Sequence, residues 1–188
     1  MSNLSLVLVC VIAAVLLLWF ISAFNSLATL RVRIQNAWAE IDVQLKRRHD
    51  LIPNLVSAVR GYMEHERSTL EAVTEARSKA VALSGRTIAD RVPAETVLSA
   101  ALSRLLLVAE QYPQLRAAEN VQLLQEQLIS TENRIAFARQ FYNDAVMKFN
   151  TAQVTFPRNL FAGLLGFSPA TMYTADEKES ATPPHTWQ

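Results

Sequence analysis

Hydrophobic and polar positions follow two different patterns along this chain. From Leu4 to Phe24 the sequence LSLVLVCVIAAVLLLWFISAF carries no charge, and the first charged side chain is Arg31. A helix rising 1.5 Å per residue makes this stretch roughly 30 Å long, the thickness of a bilayer's hydrocarbon core. Trp19, Phe20 and Phe24 cluster toward one end, where aromatic rings favour the membrane interface. Beyond this stretch the apolar residues recur at steps of three and four. Leu27, Leu30, Ile34, Ala37, Ile41 and Leu45 predict one buried face of a helix that continues from the apolar stretch with no proline or glycine between.

A helix break is expected near Arg48–Asp50, with Asp50 as an N-cap and Pro53 in the following first turn. The second helix then runs to about Leu83 through Leu55, Val59, Tyr62, Leu70, Val73, Ala76 and Ala80, with Ser84–Gly85 as its stop. A shorter third helix, with Pro93 in its first turn, buries Val97, Ala101, Leu105 and Val108 and ends before Tyr112–Pro113. The fourth has the longest seam: Val121, Leu124, Leu128, Thr131, Ile135, Ala138, Tyr142, Ala145, Phe149, Ala152 and Phe156. Pro157 forbids its continuation.

These patterns predict an all-α protein: an N-terminal transmembrane helix continuing into a long antiparallel helical bundle of about four helices. The alternative is a set of helices that pair only with other chains in a coiled coil. The loop signals between helices favour the intrachain bundle. The expected division is an anchor and start of a stalk over residues 1–30, a bundle over 31–156, and a short apolar segment with a polar tail over 157–188.

The apolar segment after Pro157, RNLFAGLLGF, concentrates Leu160, Phe161, Leu164, Leu165 and Phe167. It reads either as a small helix that caps the bundle or as an interfacial piece that dips into lipid. The last residues, ADEKESATPPHTWQ, read as a mobile tail. The N-terminal stretch reads as an uncleaved anchor. MSNLS lacks the basic n-region of a signal peptide, and Cys10 comes too early and after the wrong residues for a lipoprotein signal. Arg31, Arg33, Lys46, Arg47 and Arg48 all lie on one flank, which by the positive-inside rule places the bundle in the cytoplasm of a single-pass cell-membrane protein.

Composition narrows the chemistry. A formal net charge of +1 gives no basic surplus for nucleic acid, and the single cysteine permits neither an intrachain disulfide nor a cysteine metal cluster. The three histidines, His49, His65 and His185, lack zinc-protease or di-iron spacing: Thr69 follows His65 by four, and Lys46 and Tyr62 precede His49 and His65 by three. No phosphate loop, nucleophile elbow or catalytic constellation is visible, so no cofactor, metal or enzymatic activity is expected.

The densest charge, Lys46, Arg47, Arg48, His49 and Asp50, is a candidate partner-binding site; the alternative is a solvated helix end. A straight stalk would hold it roughly 30 Å beyond the apolar stretch, several times the ~8 Å screening length, which argues against lipid as its target. Asn36, Asp42, Gln44, Asn54, Glu132, Asn133, Arg134 and Asn143 are interspersed with the seams and are candidates for fixing helix register.

Two blocks, AWAEIDVQLKRRHDLIPNLVSAVRGYMEHE (Ala37 to Glu66) and TENRIAFARQFYNDAVMKFNTAQVTFPRNLFAGLLGF (Thr131 to Phe167), closely resemble the LemA family. The resemblance implies a bacterial protein with one N-terminal membrane helix and a long helical bundle. It supplies no agreed catalytic residues. It also implies association with other membrane proteins, such as TPM-domain proteins or membrane metalloproteases, and hence an adaptor role. The expected function is a membrane-anchored scaffold that binds protein partners or forms homo-oligomers. One alternative is a membrane-shaping or lipid-organising protein that uses the anchor and the 160–167 segment. The other is an enzyme built on His65 with Glu64 or Glu66.

Overall fold

The structure is a computed structural model that describes residues 3–174. The expected polar tail over 175–188, with His185 and Trp187, lies outside the described residues. Among the described residues there are helices and no strands. The chain is all-α, with a long N-terminal helix that begins apolar and a helical bundle. Helix α1 runs Asn3–Val59 and is followed by a 3-10 turn, Glu64–Glu66. Then come α2 (Arg67–Ala82), α3 (Ile88–Ala109), α4 (Pro113–Ala117), α5 (Glu119–Val154) and α6 (Asn159–Ala162).

Two compact units share these helices. The first combines α1 up to Trp38 with Phe141–Thr171. Its core is Leu27, Phe149, Ala152, Ala162 and Phe167, flanked by Ala28, Leu30, Ile34, Leu165 and Ala170. Leu27 is the first buried residue of α1, whereas residues 6–19 are exposed throughout. That part of α1 is long and apolar enough to cross a membrane. The segment after α5 is tied down by polar contacts to backbone. The Asn150 amide donates to Ala170 O at 2.9 Å and accepts from Ala170 N at 2.8 Å, and the Tyr142 hydroxyl donates to Thr171 O at 2.9 Å. Trp38 meets the Tyr142 ring edge-on at 5.7 Å.

The second unit comprises Ala39–Gln140 with Met172 onward. Ile52, Leu55, Val59 and Met63 pack with Leu70, Val73, Ala76 and Ala80, with Leu98, Leu102, Leu105 and Ala109, and with Leu115, Val121 and Leu128. The expected α5 seam is buried from Val121 to Ala152, with Leu124 half-buried. Phe156 leaves it: α5 ends at Val154 and the Phe156 ring is 74% exposed.

The helix break expected at Arg48–Asp50 is absent. Helix α1 runs on through Pro53 and stops at Val59, and the chain turns at Arg60–Met63. A proline inside a helix leaves the carbonyl four residues back without its donor and crowds it. Here that carbonyl belongs to His49, and the Arg77 Nε–H reaches across from α2 to donate to it at 2.7 Å. A tertiary contact thus replaces the helical bond that Pro53 cannot make.

The buried face of α3 also differs from expectation. Val97 is exposed, and the inward row is Val92, Glu95, Leu98, Leu102, Leu105 and Ala109. The helix is apolar on most sides, which blurs its period, and the charge at Glu95 disguises a core position. Helix α3 begins one turn before Pro93, at Ile88, where the Thr87 hydroxyl oxygen accepts from Asp90 N at 3.3 Å. Tyr62, expected in the core, is half-exposed in the turn.

Candidate functional site

The five residues of the basic stretch do not form one surface. Lys46, Arg47 and Asp50 are exposed, whereas Arg48 and His49 are buried. The period of α1 explains the split: residues 41, 45, 48, 49 and 52 share the inward face, so two of five consecutive charged or polar residues must turn inside.

Arg48 is fully buried, and the second unit supplies it with counter-charges from two other helices. Its Nη2 pairs with the Glu95 carboxylate of α3. Its Nη1 lies 2.6 Å from Glu132 Oε1 of α5 and donates to Ser99 Oγ at 2.6 Å. The His49 Nε2 lies 3.2 Å from Glu95 Oε1. Burial works against the Glu95 charge, but the hydrogen bond from His49 and the positive charge of Arg48 outweigh it and hold the carboxyl below the usual glutamate range. Glu132 is the member through which the cluster meets water. A second buried cation, Arg91 of α3, pairs with Asp42 of α1 at 2.6 Å. The guanidinium of Arg139 lies 4.5 Å over the ring of buried Tyr173.

This arrangement ties helices together through charge. Each buried charge meets an opposite charge from a different helix, and Arg48 joins three. Sequence reasoning assigned Glu132 and Asp42 to the register-fixing polar set but missed Glu95, Arg91, Ser99 and Arg77. A signal for Glu95 existed: it is a lone carboxylate in the apolar run of residues 92–103. Nothing in the sequence pairs it with Arg48, 47 residues away.

What α1 offers outward in this unit is Val43, Lys46, Arg47, Asp50, Leu51 and Asn54, which line one shallow depression. Val43 is exposed despite its apolar side chain. On α5 of the same unit, Ile129 and Phe137 are exposed beside Glu126, Ser130, Asn133 and Arg134. His65 and Glu64 are exposed, and half-buried Glu66 accepts from the Tyr112 hydroxyl at 3.3 Å. Among the described residues, no group of three or more His, Cys, Asp or Glu side chains converges as a metal site would require.

In the first unit the 160–167 segment divides its side chains. Phe167 is buried between Phe24 and Phe149, with ring centroids 5.7 and 6.2 Å away. Half-buried Phe161 meets Trp19 at 6.0 Å and Phe20 at 5.6 Å. Leu165 packs on the core, whereas Leu160 and Leu164 point outward. The turn after α6 is fixed by Phe167 N–H donating to Ala162 O and Gly166 N–H to Gly163 O. That pairing needs a left-handed residue, and Gly166 provides it at φ +74°.

Comparison with known proteins adds the lineage. Residues 37–186 match the model of the LemA family. Magnetosome protein MamQ 1 of Paramagnetospirillum magneticum is 25% identical over 174 residues, covering 80% of this chain and 64% of that protein. Magnetosome protein MamQ of Magnetospirillum gryphiswaldense is 24% identical, covering 77% and 62%. Protein LemA of Metamycoplasma hominis is 27% identical over 162 residues, covering 85% and 73%. This chain therefore spans under two thirds of the length of the magnetosome proteins it matches. A family match that takes in most of the chain, on the helices whose seams and buried charges have just been traced, means that the protein belongs to the LemA family.

Proposed function

We propose that the protein is a non-enzymatic, membrane-anchored helical scaffold that presents the outer face of its second unit to a protein partner. The observation that carries this reading is the division of charge on α1. Arg48 and His49 are consumed inside the unit, while Lys46, Arg47 and Asp50 stay outside beside exposed Val43 and half-buried Leu51. Such a mixed face suits a polar-rimmed protein contact better than a lipid headgroup layer, which would want cations without Asp50. Arg48, His49 and Glu95 serve helix pairing, and their burial leaves His49 and Glu95 no access to a substrate. A membrane-protein partner, or a second copy of this chain, is the occupant that fits an adaptor of this family.

The experiment is photo-crosslinking in intact membranes from Arg47, with Phe137 as a second position, read by mass spectrometry. A distinct protein or a second copy recovered at Arg47 supports the scaffold. Products that contain only lipid, or none at either position, overturn it.

A further inference from the structure

We infer that the segment Phe156–Phe167 is a second membrane contact, an interfacial hook whose Leu160 and Leu164 side chains enter the acyl region next to the N-terminal helix. This rests on the anchor in the reading above and goes beyond it. Phe161 packs on Trp19 and Phe20, which lie inside the uncharged stretch that ends at Phe24. Phe167 packs on Phe24 itself. Between Phe167 and Phe161 the segment therefore descends along α1 by four to five residues, about 7 Å at 1.5 Å per residue. Whatever medium surrounds Trp19 and Phe20 also surrounds the outward side of this segment.

The outward side suits hydrocarbon. Leu164 is 86% exposed and Leu160 57% exposed, and Phe156 is exposed just before them. Arg158 is the only charged residue from Phe156 to Phe167, and it is half-buried. In water these leucines would be left uncovered at the rim of a small core. Beside a bilayer they are buried at about 25 cal/mol per Å² of apolar surface. The backbone is also prepared for such a place: the turn after α6 satisfies its own amides, so few unpaired donors would enter the lipid.

The test uses the full chain, with Cys10→Ala as background, reconstituted in vesicles of phosphatidylcholine and phosphatidylglycerol. An environment-sensitive fluorophore is attached at Leu164→Cys or Leu160→Cys, and for reference at Ile12→Cys and Ser84→Cys. The expected result at 164 and 160 is quenching by a nitroxide placed high on the lipid acyl chain, with loss of the iodide quenching seen at Ser84. Iodide quenching equal to that at Ser84 overturns the inference. Shielding from both quenchers also overturns it, because protein then covers the leucines. If Ile12 escapes quenching by a second nitroxide placed deep on the acyl chain, the anchor itself has failed and the hook falls with it. If Ile12 is quenched and Leu164 is not, only the hook fails.

Discussion

The two units close their cores by opposite chemistry. The second holds Arg48, Glu95 and His49 away from water and joins α1, α3 and α5 through charge. The first has no such cluster among its described contacts. It closes with rings, Phe149, Phe167 and Phe24 in sequence and Phe161 on Trp19 and Phe20, together with the Asn150 clasp on Ala170 backbone. A buried ion must be matched in place, so it specifies which helices meet and in what register. Rings stabilise by area and tolerate a neighbouring apolar solvent, which an unmatched ion does not. A unit built on the apolar end of α1 therefore gains from rings, and one built on a seam of interrupted polarity can use ions.

The strongest way to break this contrast is to remove the ion at its centre. Arg48→Met leaves Glu95 buried without its main partner and should cost about 4 kcal/mol in denaturant unfolding of the full chain in detergent. Arg48→Met with Glu95→Leu should recover most of that loss, since an apolar pair removes both ions together. Glu95, the partner of Arg48, gives a pH signature. The Glu95 carboxyl is held below its ordinary value in the folded chain, so its contribution is present at neutral pH and is lost as the pH falls below about 4. Acid unfolding of Glu95→Gln should be shallower over that window than acid unfolding of the parent.

In the first unit Phe167→Ala should cost about 3 kcal/mol, because Phe24 and Phe149 lose the ring they share. Its effect should be independent of acid, which separates the two cores in one series of melts.

A smaller effect tests the join at Pro53. Arg77→Ala leaves the His49 carbonyl without a donor and should cost about 2 kcal/mol. In a Pro53→Ala background the helix supplies its own donor, and the cost should fall by about 1 kcal/mol in the double-mutant cycle. Gly166→Ala, at a left-handed position, should cost about 1 kcal/mol. A loss much larger than that would mean the turn aims Phe167 more tightly than ring packing alone requires.

What the sequence determined by itself was the all-α class, the apolar start of α1 and the inward faces of α1 up to Leu45 and of α5. A seam of apolar residues at three-four spacing is local information, because the helix geometry that places the side chains is built from neighbours in the chain. The α5 seam from Val121 to Ala152 and the α1 seam from Leu27 to Leu45 face inward as their spacing predicts, with Leu124, Leu30 and Ile34 half-buried and the rest buried. The stop at Ser84–Gly85 holds for the same reason, with Gly85 at φ +80°. Family membership was legible too, in the two blocks quoted from Ala37 and Thr131.

Only the tertiary structure decided where the charges go and where α1 ends. Pro53 reads as the start of a helix until Arg77, from another helix, takes the orphaned carbonyl. Arg48 reads as an outward cation, partner-binding or solvated, until Glu95 and Glu132 arrive from 47 and 84 residues away. Glu95 gives no local sign of burial for the mirror-image reason, and the expected face of α3 passed over Leu98 and Leu102 with it. The polarity of a side chain states what it costs to bury; whether that cost is met depends on partners that only the fold brings within reach.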